Sequence, residues 1–149
     1  MTAGPRVSVS VTHRFTASAE RVFDAWLGPA RVGKWLFATP AGEMVRVEID
    51  PRVGGTFVIT ERRDGEDVEH RGEYLEIERP RRLVFTLNVE RYAQEIDQVV
   101  IEIIPLDTGC ELTLTHGMSP SWADRKGQIE LGWSGIFQVL EGVLSAVER

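Results

Sequence analysis

The chain has 149 residues, with 17 basic against 23 acidic side chains for a formal net charge of -6; that length fits one domain with a real core, and the acidic balance excludes a surface built to neutralise nucleic-acid phosphates. One cysteine, Cys110, excludes an internal disulfide, and three scattered histidines offer no zinc spacing, so neither metal nor other cofactor is implied. No apolar run approaches the roughly 20 residues of a membrane span, and the opening MTAGPRVSVS lacks the apolar core of a signal peptide, which points to a cytoplasmic protein.

Val7, Val9, Val11 and Phe15 alternate with Ser8, Ser10, Thr12 and Arg14, so the chain begins with a strand buried on one face. In ASAERVFDAWLGP, Ser18 is placed to cap a helix whose Ala19, Val22, Phe23 and Trp26 share a face, and Gly28-Pro29 ends it. Pro29 suits the first position of a second short helix reaching Trp35. From Met44 to Gly117 the pattern is that of strands, punctuated by turn residues at Asp50-Pro51 to Gly54-Gly55, Asp64-Gly65, Arg79-Pro80 and Asp107-Thr108-Gly109. Six strands are predicted here. Their inward sets are Val45, Val47 and Ile49; Phe57 and Ile59; Leu83, Phe85 and Leu87; Val99, Ile101 and Ile103; and Leu112 and Leu114. Short connections favour an antiparallel meander. Tyr74 and the pair Leu75 and Ile77 have opposite parity, which a bulge reconciles. His70 reads as a strand-edge residue.

The closing helix is predicted from about Pro120 to Glu148, with Ser119-Pro120 at its start. Ile129, Trp133, Ile136, Phe137, Leu140, Val143, Leu144 and Val147 fall on one face, and Glu130, Ser134, Gln138, Glu141, Ser145 and Glu148 opposite. Gly132, Gly135, Gly142 and Ala146 line a flank. A helical glycine costs about 1 kcal/mol relative to alanine, so these positions are expected to admit a close neighbouring strand beside a ligand-sized groove. The whole is one α+β domain spanning residues 1–149: a seven-stranded curved antiparallel sheet around a long C-terminal helix, with two short helices after the first strand.

The stretches TASAERVFDAWLGPARVGKWL, PRVGGTFVIT, GEYLEIERPRRLVFT, CELTLTHGM and LGWSGIFQVLEGVL together resemble the SRPBCC (START-like, helix-grip, Bet v 1-like) superfamily. Within it they are similar to the homologues of the heat-shock protein 90 ATPase activator. The likeness runs in order over nearly the whole chain. It implies a deep, largely apolar cavity between sheet and helix, where superfamily members bind lipids, polyketides, hormones and other hydrophobic molecules, and where some add catalysis. It implies no shared catalytic motif.

For such a cavity the inward register selects Trp35 and Phe37 at the mouth, Val47, Phe57, Ile59, Tyr74 and Phe85 on the sheet, and Met118, Trp122, Trp133 and Phe137 on the cover. Each also has a reading as plain core. His116 shares the parity of Leu112 and Leu114, and His13 that of Val9, Val11 and Phe15. An inward imidazole invites acid–base chemistry, with His116 as candidate and Tyr74 as phenolic partner; the alternative is a hydrogen-bonded histidine at a strand end, since no companion carboxylate is legible. Cys110, beside Glu111, lacks the positive surroundings of a nucleophile.

Three functions therefore stand: a carrier, sensor or sequestering protein for a small hydrophobic molecule; a chaperone ATPase-modulating partner; or a polyketide cyclase/dehydratase-like enzyme using the inward histidine. The first ranks highest, and a non-enzymatic role is favoured. The activator that names the family carries a further N-terminal domain for which 149 residues leave no room, which lowers the second. The uncharged outer register of Ser8, Ser10, Thr12, Thr113 and Thr115 fits a monomer with solvated strands or a weak homodimer.

Overall fold

The computed structural model describes residues 7–28, 32–36, 42–89 and 96–147, apart from the side chains at 89, 121, 122 and 145–147. Seven strands form one antiparallel sheet: β1 (Val7–Phe15), β2 (Glu43–Ile49), β3 (Thr56–Arg63), β4 (Glu66–Glu78), β5 (Arg82–Val89), β6 (Asp97–Pro105) and β7 (Cys110–Met118). Their order across the sheet is β1-β7-β6-β5-β4-β3-β2. The strands from β2 to β7 are a meander, as the short turns require, and β1 joins its far side by pairing with β7. Helix α1 (Ala19–Ala25) follows β1, and α2 (Lys126–Val147) closes the chain.

Local chemistry explains most boundaries. Ser18 accepts from the Arg21 N–H at 3.2 Å, capping α1, whose Ala19, Val22 and Phe23 are buried together with Trp26. At the β6–β7 turn Gly109 adopts a positive φ of 80°, and a Cβ there would lie 1.8 Å from the Phe15 carbonyl oxygen. The curved sheet and α2 enclose one core in which Trp133, Phe137, Leu140 and Leu144 of the helix meet Val11, Phe15, Phe85, Val99, Ile101 and Leu114 of the strands. Ile129, Ile136 and Val143 pack at its margin. Two polar contacts tie α2 to the opening elements: His13 Nε2 donates to Glu141 Oε1 at 2.7 Å, and Arg21 donates to the Leu144 carbonyl at 2.8 Å. A bidentate pair, Arg79 to Asp24 at 2.7 and 2.9 Å, holds the β4–β5 turn against α1.

Several expectations are corrected. Val45 is 39% exposed, because the register of β2 shifts between Met44 and Arg46; Met44 packs on the core in its place. The closing helical region does start at Pro120, but its opening stretch, Pro120–Arg125, is a 3-10 segment, and α2 begins at Lys126. Among the described residues, a Cβ built at Gly132, Gly135 or Gly142 meets nothing within 4 Å, so no described strand approaches those glycines. The close approach belongs to Gly72, where a Cβ would sit 1.9 Å from the Thr86 carbonyl oxygen and 2.6 Å from the Phe57 ring. The bulge inferred for β4 is present between Tyr74 and Glu76, leaving Tyr74 buried, Ile77 packed on the core and Leu75 exposed. Of the second short helix expected from Pro29 to Trp35, Val32 is helical and 33–36 form a turn, with the Val32 N–H donating to the Gly28 carbonyl and the Leu36 N–H to the Val32 carbonyl; the expected start at Pro29 lies outside the described residues, as do Glu148 and the side chains of Ser145, Ala146 and Val147.

Candidate functional site: an aromatic pocket and a histidine clamp

The inner face of the sheet carries a pocket. Ile49 of β2, Phe57 and Ile59 of β3, Tyr74 of β4 and Leu83 and Phe85 of β5 supply its sheet side, and Trp26 and Leu36 its other wall. The period of two along each strand places these side chains on one face, and antiparallel pairing sets Tyr74 opposite Phe85. The Phe57 ring lies 5.6 Å from Tyr74 and 5.5 Å edge-on to Phe85, and Trp26 lies 6.0 Å from Phe85. The enclosed volume is only about 10 Å³, close to what a single water occupies. Its lining is almost wholly apolar.

The polar atoms of the aromatic groups here differ in one respect. Trp35 donates from Nε1 to the Ala25 carbonyl at 3.1 Å, and Trp133 donates from Nε1 to His116 Nδ1 at 3.0 Å. Trp26, 2% exposed, has its Nε1 buried with no hydrogen-bond partner among the described residues. Burial raises the pKa of the Tyr74 phenol well above its usual value, with the charge of Asp50 adding to the effect, so that group stays protonated.

His116 lies elsewhere, at the β7 end near α2. Because Nδ1 accepts from Trp133, the ring proton is on Nε2, which donates to Asp97 Oδ2 at 2.8 Å. Both ring nitrogens are thus engaged in a residue 6% exposed. The carboxylate partner that sequence reading missed is Asp97, and its signal was parity: it precedes Val99, Ile101 and Ile103 in the same inward register. The expected pairing with Tyr74 is absent. Tyr74, Phe85, Val99 and His116 follow one another across neighbouring strands, so the two residues stand three strand spacings apart along the sheet, about 14 Å of backbone separation, and His116 bonds to Trp133 and Asp97 instead.

The other candidates divide. Phe57, Ile59, Tyr74 and Phe85 come together at the pocket, joined by Trp26, Leu36, Ile49 and Leu83, which sequence reading did not select as site residues. Val47 packs at the core margin, Trp35 stands behind Trp26 at 4.7 Å, and Trp133 and Phe137 are buried on the inner face of α2. Met118 is fully buried at the end of β7. Phe37 and the Trp122 side chain lie outside the described residues.

His70 is not at an edge: β4 runs between β3 and β5, and the residue is 6% exposed, in register with Ile59. Burial, reinforced by the charge of Arg63, lowers its pKa to about 4. Beside it Glu61, 1% exposed, is paired with Arg63. Cys110 is fully buried, and burial raises its thiol to about 11, which keeps it un-ionised at neutral pH. Among the described residues no group of three or more His, Cys, Asp and Glu side chains is placed to hold a metal ion, and no helix is long and apolar enough to cross a membrane.

A curved antiparallel sheet that grips a long C-terminal helix over an aromatic interior defines the helix-grip class of domains. Residues 16–145 match the model of the family described as Activator of Hsp90 ATPase homolog 1-like protein, and the chain belongs to that family. Among solved structures, protein CV1439 of Chromobacterium violaceum is 25% identical, with a TM-score of 0.81 over 91% of this chain and 95% of that one. A protein of Rhodobacter sphaeroides superposes with a TM-score of 0.83 at 21% identity, covering 96% and 93% of the two chains. An AHSA1-like protein of Aeromonas hydrophila gives 0.80 at 19% identity over 95% and 94%. No functionally curated protein matches the sequence.

Proposed function

We propose that the protein binds a small hydrophobic molecule in the pocket between the inner face of the sheet and the Trp26–Leu36 wall, acting as a carrier, sensor or sequestering protein. The observation that carries the reading is that pocket itself: apolar side chains from four strands and the segment around α1 converge on one void. Transfer of apolar ligand surface from water supplies the driving force, at roughly 25 cal/mol per Å². A void of about 10 Å³ is far below the several hundred Å³ of an occupied ligand site, so binding requires the wall to move outward. Ile49 lies on the sheet-edge strand β2, paired on one side only, which makes it the sheet-side wall element with the least structure to disrupt. The catalytic alternative has less support. Both nitrogens of His116 are committed, and a general base needs a free lone pair within reach of its substrate.

Titration with N-phenyl-1-naphthylamine tests the reading. The parent is expected to bind it saturably, one to one. Ile49→Glu places a carboxylate in the lining and should weaken binding at least about tenfold by the cost of desolvating a charge, whereas Ile104→Glu, at a position 58% exposed, should bind as the parent does. A folded parent that binds no probe, or an Ile49→Glu variant that binds it unchanged, overturns the assignment. Native mass spectrometry of freshly purified protein identifies any molecule carried through purification.

A further inference from the structure

We infer that the ligand of this pocket carries a hydrogen-bond acceptor, such as a carbonyl oxygen, on its apolar skeleton, and that the Trp26 indole N–H is the group that recognises it; this rests on the binding reading above. Tryptophan N–H groups find partners when buried, and in this chain Trp35 and Trp133 do so, with a backbone carbonyl and an imidazole. Trp26, 2% exposed, finds none among the described residues. A buried donor without a partner weakens the folded state. Its indole is held by rings on several sides: Trp35 at 4.7 Å, Phe85 at 6.0 Å and Trp133 and Phe137 at 6.3 Å. It cannot readily turn to seek another partner. Trp26 is also the one tryptophan in the pocket wall, where its neighbours Phe57, Ile59, Leu83 and Phe85 offer no polar side-chain atom. A ligand with an acceptor completes the donor. A pure hydrocarbon leaves it as it is.

The test uses two probes of one shape, acetophenone and α-methylstyrene, in which a carbonyl replaces an exocyclic methylene; both require the same outward movement of the wall. Trp26→Phe reshapes the wall for both probes alike, and is expected to weaken acetophenone about five- to tenfold more than it changes α-methylstyrene, the value of one neutral hydrogen bond. In the parent, the Trp26 indole N–H resonance, assigned from its contacts with the Trp35 ring, should move downfield with acetophenone and not with α-methylstyrene. This second measurement decides the matter if Trp26→Phe does not fold. Equal effects of Trp26→Phe on both probes, or an indole resonance unmoved by the ketone, would overturn the inference while leaving the pocket assignment intact. Loss of acetophenone affinity in Tyr74→Phe but not in Trp26→Phe would move the contact to the phenol and overturn it too. If neither probe binds the folded parent, the binding reading falls and the inference with it.

Discussion

Two histidines in the same sheet show how much a side chain's neighbours decide. His116 is buried with a donor on one nitrogen and a carboxylate on the other, and so is fully satisfied. His70 is buried where desolvation and Arg63 oppose its charged form, and its pKa falls to about 4. In the unfolded chain a histidine titrates near 6.5. Above pH 7 the residue is neutral in both states and folding is indifferent to it; between 6.5 and 4 the unfolded chain binds the proton and the native one does not, so stability falls as pH falls. At pH 5 the difference amounts to about 2 kcal/mol. Urea unfolding at pH 7.5 and pH 5.0 should therefore show a loss in the parent that exceeds the loss in His70→Gln by roughly that amount; parallel losses would show that His70 titrates normally in the fold. Parity would have placed this residue correctly, since His70, Gly72 and Tyr74 alternate onto one face and Tyr74 was already assigned inward. The misreading came from treating a polar side chain as evidence of an edge. Asp97 escaped for the same reason.

The helices and strands obey their periodicities, and the misreadings sit where a local device interrupts them. The buried face of α2 is the one its spacing predicts, with Trp133, Phe137, Leu140 and Leu144 inward. Val45 is misplaced because a register shift in β2 has no composition signal, whereas the bulge in β4 was legible from the mismatch of Tyr74 with its neighbours. The helical glycines carried a real signal with the wrong meaning attached, because spacing shows which face a residue occupies but not what stands opposite. Gly135→Ala should stabilise the protein by up to about 1 kcal/mol, since the new methyl meets open space and helix propensity improves; a fall in the unfolding midpoint would show that the site is confined after all. At the junction of α2 with β7, Trp133→Phe keeps an aromatic six-membered ring but removes the indole N–H, leaving the His116 Nδ1 acceptor unpaired in a buried place. A loss of about 1–3 kcal/mol is expected, read as a Tm lowered by several degrees, and an unchanged Tm would mean that the clamp contributes little to holding the helix.

At the scale of the molecule, the family, the order of elements and the single core were all legible, because each depends on pattern summed over many residues. The size of the pocket was not, since a volume of 10 Å³ is the small difference between a sheet's curvature and the rings that fill it. One feature of the topology reaches into kinetics. From β3 to β7 every strand pairs with its predecessor in the chain, but β1 pairs only with β7, and Ser10 meets Thr115 across 105 residues. Closing a loop of that length costs roughly 2 kcal/mol more than closing one of ten, so this pairing gains least from forming early. The first strand of the sheet in chain order is then the last to be zipped in. Val9→Ala, which truncates a side chain 2% exposed on β1, should accordingly speed unfolding while leaving the refolding rate nearly unchanged, and a refolding limb slowed in proportion to the lost stability would place β1 in the folding nucleus instead. The route to the native sheet would thus run from the meander of β2 to β7 outward to β1.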